Sequence, residues 1–184
     1  MNMNQPTRTV PVREPEDLAS RIERVLVAGD LKELTPEQRT RYYRTLCDTL
    51  GLNWLAKPFE YIVLNGKLQL YATRNATDQL RFVHTISVSI VDRKLHDGLL
   101  IVHAKARMPS GREDEDLGVV PIGNAQGEAK SNLIMKCVTK AKRRVTLSIC
   151  GLSFIDETEV DSIPAAKPAA AVTAELEKAI EAYQ

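Results

Sequence analysis

The sequence predicts an α+β domain: an antiparallel sheet, made of a hairpin and a three-stranded meander, packed against a long basic helix, with further helices ahead of it. Three observations carry that expectation. "TPEQ" at 35–38 opens a helix, "FEYIVLNGKLQLYA" at 59–72 turns a hairpin, and apolar residues recur at helical spacing from about Ala125 to Ile149. Helices, then strands, then a helix, imply an antiparallel sheet with its helices mainly on one face.

Residues 1–12 are polar and carry prolines, which reads as a flexible arm. A helical pattern follows from about Glu14, with Leu18, Ile22, Leu26 and Val27 on one side. In the next helix Thr35 caps, Pro36 suits the first helical position, and Gln38 closes a capping box. Tyr42, Tyr43, Leu46 and Leu50 then point inward, and Gly51 stops the helix. Asn65-Gly66 sits between two β-rich runs, and both residues tolerate the positive φ of a tight hairpin turn. "NATDQLRFVH" from Asn75 reads as a short helix capped by Asn75 or Thr77. Residues 85–122 read as three strands, with turns near Lys94–Gly98 and Pro109–Gly111. The long helix closes at Gly151. Residues 13–158 thus form the domain, and the Pro- and Ala-rich 159–184 read as a flexible tail with room for a short terminal helix.

The 184 residues carry a formal net charge of only +1. Such a chain is no polycation, so attraction for an acidic partner must come from local placement of charge. Cys47, Cys137 and Cys150 are odd in number and lack CxxC spacing, which suits small buried hydrophobes in a reducing compartment. No apolar run approaches a membrane span and no signal-type segment opens the chain. The expectation is a soluble, cytoplasmic protein without a membrane partner.

One stretch breaks the mixing of charges. "KCVTKAKRRVTLSICG" at 136–151 holds five cations in nine positions and no acid. At about 100° per residue, Ile134, Cys137, Val138, Ala141, Val145 and Ile149 share one arc, and Lys136, Lys140, Arg143 and Arg144 share the opposite one. Lys142 stands at the margin of the apolar face. Outer-face charge is ordinarily solvation, but here no carboxylate relieves the like-charge repulsion at i±4, and a polyanion would. Lys130 begins the same helix. In "IVHAKARMP" strict alternation puts Lys105 and Arg107 on one strand face and Ala104 and Ala106 on the other. Lys67 follows the hairpin turn. Aromatic residues are 5% of the chain, and Phe59, Tyr61 and Tyr71 sit in apolar runs, so the expected contact is with phosphates and not with base faces.

No phosphate-binding Gly-rich loop with Lys-Ser/Thr occurs, His84, His96 and His103 lack metal-ligand spacing, and no nucleophile arrangement stands out. Neither catalysis nor a cofactor nor a metal is expected. The acidic run Glu113–Asp116 reads as a solvated turn and strand start.

Three stretches, in order, resemble the single-strand annealing proteins, which include phage annealases of the Red-beta type and the eukaryotic radiation-repair annealing protein. "VTKAKRRVTLSICG" resembles that family's groove-lining helix, "PSGREDEDLGVV" a segment with a turn glycine and Glu-Asp, and "YIVLNGKLQLYA" its first hairpin. The resemblance covers roughly 40–158. It implies a homo-oligomeric ring or helical filament that holds single-stranded DNA by its phosphates and anneals complementary strands in phage recombination and repair, without ATP. It places Arg143 and Arg144 at the family's Lys-Arg pair and Lys67 at its hairpin cation. Lys130, Lys136, Lys140, Lys142, Lys105 and Arg107 come from helix and strand geometry alone. The family often has small or acidic residues where Lys140 and Ala141 stand, so this groove is expected to be more basic. A host single-strand-binding protein and a partner exonuclease are conceivable companions, the tail "TAELEKAIEAYQ" being the recruiting element. Three other readings stay open: a double-stranded RNA-binding module, a metal-dependent nuclease using Asp92, Asp97 and Glu113–Asp116, and an assembly protein with no nucleic-acid role.

Overall fold

In a computed structural model, the residues described are 23, 25, 27, 29–155 and 167–183. The elements are a 3₁₀ turn Leu31–Glu33, helix α1 Pro36–Leu50, a 3₁₀ turn Trp54–Ala56, strands β1 Phe59–Leu64 and β2 Lys67–Ala72, and helix α2 Arg74–Val83. Strands β3 Ser87–His96, β4 Leu99–Arg107 and β5 Glu113–Pro121, helix α3 Gly127–Ile149, strand β6 Lys167–Pro168 and helix α4 Ala170–Glu181 complete the order. The class is α+β with antiparallel strands, as the sequence predicts. The arm 1–12 lies outside the described residues.

The local signals act as their chemistry dictates. Thr35 Oγ1 accepts from the Gln38 amide at 3.3 Å, and Gln38 Oε1 accepts from the Thr35 amide at 2.9 Å. Gly51 ends α1 at φ 70°, left-handed backbone that glycine adopts without a Cβ penalty. Asn65 and Gly66, at φ 50° and 77°, make the β1–β2 turn. The cap of α2 differs from expectation: Thr73 is the N-cap, without a side-chain hydrogen bond. Asn75 instead donates to the Ala56 carbonyl at 2.8 Å, and Thr77 is buried. Before Gly29, Val25 is buried and Val27 is 84% exposed, whereas Leu18, Ile22 and Leu26 lie outside the described residues.

The hairpin and the meander do not merge into one sheet. Strands order as β2-β1-β6 in one sheet and β3-β4-β5 in the other. Each sheet has its own core. The first, around Tyr43, Cys47, Phe59, Tyr61 and Leu80, fills the space between the hairpin and α1, α2 and α4. The second joins Val102, Ala104, Ala106 and Val120 of the meander to Cys137, Ala141, Val145 and Ile149 of α3. Leu147 of α3 belongs to the first core, so the C-terminal half of α3 is wedged between both.

Residues 167–183 are no loose tail. Lys167 and Pro168 pair with Val63 and Ile62 of β1, and α4 buries Leu176 and Ile180 in the first core. Arg39 and Lys57 each reach a carboxylate of α4, Glu175 and Glu177, at 2.6 Å. The Arg44 guanidinium sits 4.7 Å from the Tyr183 ring, which lies edge-on to Trp54. The apolar spacing of "TAELEKAIEAYQ" therefore serves this domain, which removes that face from the recruiting role the sequence suggested.

The seat of α3 on the meander is unusually close. Gly118 of β5 faces the helix, and a Cβ there would stand 2.4 Å from the Cys137 carbonyl oxygen and 2.6 Å from the Ala141 nitrogen. The Cys137 thiol donates to the carbonyls of Gly118 and Leu100, both at 3.2 Å. A side-chain-free position thus lets helix backbone meet strand backbone, and it sets the depth at which the basic helix lies.

Candidate nucleic-acid interface

The cations of α3 do not form one exposed ridge. Arg143 is 7% exposed, because α2 and the first core cover the helix face that periodicity assigns to water. Thr146 and Leu147, on the same side, are buried too. Arg144 turns the other way, and its Nε lies 3.2 Å from Asp116 Oδ1 of β5. The expectation that Lys136, Lys140, Arg143 and Arg144 share an outward arc is corrected on this point. A wheel calculation assumes one covering layer; a second layer covers Arg143, and Arg144 lies close enough to the meander side to reach Asp116 of β5.

What the packing creates instead is a cleft of about 400 Å³ between α2 and α3, lined by Arg74, Asp78, Arg81, Val138, Thr139, Lys142 and Arg143. Among the described residues that line it, four are cations and one is a carboxylate. Arg74, Asp78 and Arg81 reach it from one stripe of α2, at spacings of four and three residues. Asp78 holds the α2 side together: its carboxylate takes Arg74 Nε at 3.2 Å and an Arg81 guanidinium nitrogen. Arg81 also donates to Thr146 Oγ1 at 3.2 Å, and the Thr146 hydroxyl donates to the Lys142 carbonyl at 2.7 Å. That chain of bonds ties α2 to α3 and fixes the width of the cleft.

The electrostatics follow from the enclosure. Burial draws the Arg81 pKa below its ordinary value; Asp78 opposes that pull, and the neighbouring guanidiniums of Arg143 and Arg74 add to it. Arginines crowded at a half-enclosed surface focus positive potential into the cleft, where an anion is screened less than on an open face. Planar guanidiniums also present paired N–H groups that match phosphate oxygens. Lys142 is exposed at the mouth.

The remaining expected cations are placed elsewhere. Lys105 Nζ lies 2.7 Å from Glu113 and 3.6 Å from Glu115, and Arg107 Nε lies 3.7 Å from Glu113. The hydrogen bond from Lys105 holds the Glu113 carboxyl below its usual range, and the same bond raises Lys105. Ala104 and Ala106 are fully buried behind them, so the alternation was right and the charge is balanced across the ladder. Lys67 is exposed at the hairpin tip and does not line the cleft. Lys130 is exposed in the first turn of α3, and Lys136 and Lys140 are half-buried along it; none of the three lines the cleft. Of the nine expected residues, the structure brings Lys142 and Arg143 together. It adds Arg74 and Arg81, which sequence reasoning passed over because they sit in an ordinary mixed-charge helix. The signal was present in the i, i+4, i+7 stripe of Arg74, Asp78 and Arg81.

The acidic run is dispersed by strand alternation. Glu113 and Glu115 face Lys105, and Glu115 also meets His103 at 2.9 Å. Asp114 accepts from the Ser148 hydroxyl at 2.6 Å, and Asp116 holds Arg144. Asp92 pairs with Lys94 at 3.0 Å, and Asp97 lies in the β3–β4 turn. Among the described residues no group of three His, Cys, Asp or Glu side chains is placed to hold a metal ion, and no helix is long and apolar enough to cross a membrane. Cys47 and Cys137 are buried, and Cys150 is half-buried.

No protein family's model matches the chain, and no curated protein matches it.

Proposed function

We propose that the protein binds a single strand of nucleic acid by its phosphates and anneals it to a complementary strand without ATP, as a homo-oligomer in recombination or repair. The observation that carries the reading is the α2–α3 cleft, which Arg74, Arg81, Lys142 and Arg143 line together. A phosphate entering it relieves like-charge repulsion that is strong only because the cleft is partly enclosed. Backbone contact leaves most bases free to pair, which annealing requires. The annealing step itself rests on the resemblance of the hairpin, the β4–β5 turn segment and α3 to the single-strand annealing proteins. Assembly has a route in the outer strands of the meander, β3 and β5, which among the described residues pair on one side only. An outer strand with unpaired backbone groups suits contacts between copies.

The test measures anisotropy of a labelled single-stranded oligonucleotide across a salt series, with annealing of complementary strands followed in parallel. Affinity is expected to fall with salt by about 0.7 log units per log unit of salt for each phosphate contacted. Lys142→Ala and Arg74→Ala, both at accessible positions, should each flatten that slope by about 0.7 and slow annealing. Equal affinity for duplex RNA and no strand joining would favour the RNA-binding module. Cleavage of labelled DNA in magnesium would favour the nuclease. Elution from a polyanion column that ignores salt would refute any nucleic-acid role.

A further inference from the structure

Of the nine aromatic residues, two are exposed, Phe82 and Tyr183. Tyr183 is engaged by Arg44 and Trp54. Phe82 is different: its ring is 88% exposed, the most open of the large hydrophobic side chains among the described residues. It is also the residue after Arg81, on the helix that forms one wall of the cationic cleft. On a helix of about 100° per residue, Phe82 stands about 40° beyond Asp78, at the rim of the stripe Arg74, Asp78 and Arg81. The buried side of α2, with Ala76, Thr77 and Leu80, faces away from it. Among the described residues nothing packs over the ring, and leaving a phenylalanine in water forgoes the burial that places such residues in cores.

We propose that Phe82 is a stacking platform for one base of the strand whose phosphates occupy the α2–α3 cleft, a role that rests on the function proposed above. Single-strand grooves combine cations that track the backbone with exposed rings that take base faces, and stacking accepts any base because each has a π-face. Here both components lie on one helix, in adjacent residues, with the cations turned into the cleft and the ring at its edge. One ring per subunit would grip one base and leave the bases between rings unstacked. The strand gains a register against each subunit that phosphate contacts alone cannot give, since phosphates repeat uniformly. The expectation of phosphate contact without base contact is thereby amended at one position.

The experiment compares the parent, Phe82→Ala, Phe82→Trp and Lys142→Ala on an ordinary single-stranded oligonucleotide and on one of the same length made of abasic units. Circular dichroism and light scattering accompany each. At 88% exposure the ring contributes little to folding, so Phe82→Ala should keep the parental spectrum and oligomer size. It should bind the ordinary strand about tenfold more weakly with an unchanged salt slope. Phe82→Trp should restore the affinity, and parent and Phe82→Ala should bind the abasic strand equally. Lys142→Ala should weaken both strands alike and flatten the slope. If Phe82→Ala matches the parent on the ordinary strand while Lys142→Ala flattens the slope, the stacking role is wrong and the phosphate site stands. If the parent binds neither strand, the underlying function fails. If Phe82→Ala instead reduces the oligomer size, the ring belongs to a contact between copies and the stacking role is overturned.

Discussion

Gly118→Ala is the substitution that tests how α3 is seated. The added Cβ would stand 2.4 Å from the Cys137 carbonyl oxygen, 2.6 Å from the Ala141 nitrogen and 3.0 Å from the Ala141 Cβ. Ordinary contact begins near 3.4 Å, so helix and strand must separate by about 1 Å at this point. The two nearest atoms are backbone. Both belong to the hydrogen-bonded ladder of a 23-residue helix, and Gly118 itself is paired across the sheet with Val102. Neither can swing aside as a side chain would. Overpacking of a core costs about 1–3 kcal/mol, and a clash between two backbones belongs at the upper end. For a chain of this size about 3 kcal/mol lowers Tm by about 6–12 °C. The same separation breaks the Cys137 thiol contacts and shifts Lys142 and Arg143 against α2, so oligonucleotide affinity should fall with stability. Gly98→Ala is the control. It introduces the same methyl group where nothing lies within 4 Å, at φ 75°, so its cost is backbone strain alone, about 1–2 kcal/mol. It should lower Tm by less and leave affinity as in the parent. Thermal denaturation by circular dichroism decides the matter: a Gly118→Ala Tm within about 2 °C of the parent would refute the backbone-to-backbone seat.

Lys105→Ala and Arg107→Ala should change oligonucleotide affinity by less than about twofold, because their charge is balanced by Glu113 and Glu115, whereas Lys142→Ala acts as described above. A loss as large as that of Lys142→Ala would show that this strand contacts the phosphates after all. Burial, and after it the charge of Asp48, push the Cys47 thiol up to about 12. In the unfolded chain a thiol ionises near about 8.5. The folded pKa is the raised one, so the stabilisation is intact below about pH 8.5 and is lost as pH climbs towards about 12. Urea titrations should therefore show the parent losing more stability than Cys47→Ala between pH 8 and pH 10.5; parallel losses would remove Cys47 as the cause.

The sequence carried the elements well because their signals are local. Thr35-Pro36 with Gln38, and Asn65-Gly66, depend on residues within a turn of one another, and each formed what its chemistry implies. The cap of α2 was misplaced by two to four residues for the opposite reason. Asn75 is drawn to the Ala56 carbonyl and Thr77 is taken into the core, both distant partners, which left Thr73 as the cap. Distant partners likewise explain α4. Its apolar spacing is evident in the sequence, but its docking depends on Arg39, Arg44 and Lys57, more than a hundred residues away.

The site was half legible, and the half that was missed follows from one geometric fact. Charge patterning identifies a basic helix, but it cannot say how many layers will cover it. Had α3 lain on the meander alone, Arg143 would have faced water, whereas Arg144 would still have met Asp116 of the meander strand β5. Because Leu147 reaches the first core while Val145 and Ile149 reach the second, the helix is gripped on two sides in its last turns. Arg143 then points into α2 and Arg144 into β5. The consequence is chemical as well as geometric. An open ridge of cations attracts any polyanion and is screened at the Debye length, about 8 Å at physiological salt. On the function proposed above, a cleft of arginines would hold fewer phosphates but fix their positions, and fixed positions would let a neighbouring ring such as Phe82 meet the same base in every subunit. On the function proposed above, two-sided burial of α3 is thus what would turn a sequence of positive charge into an address for one short stretch of a strand.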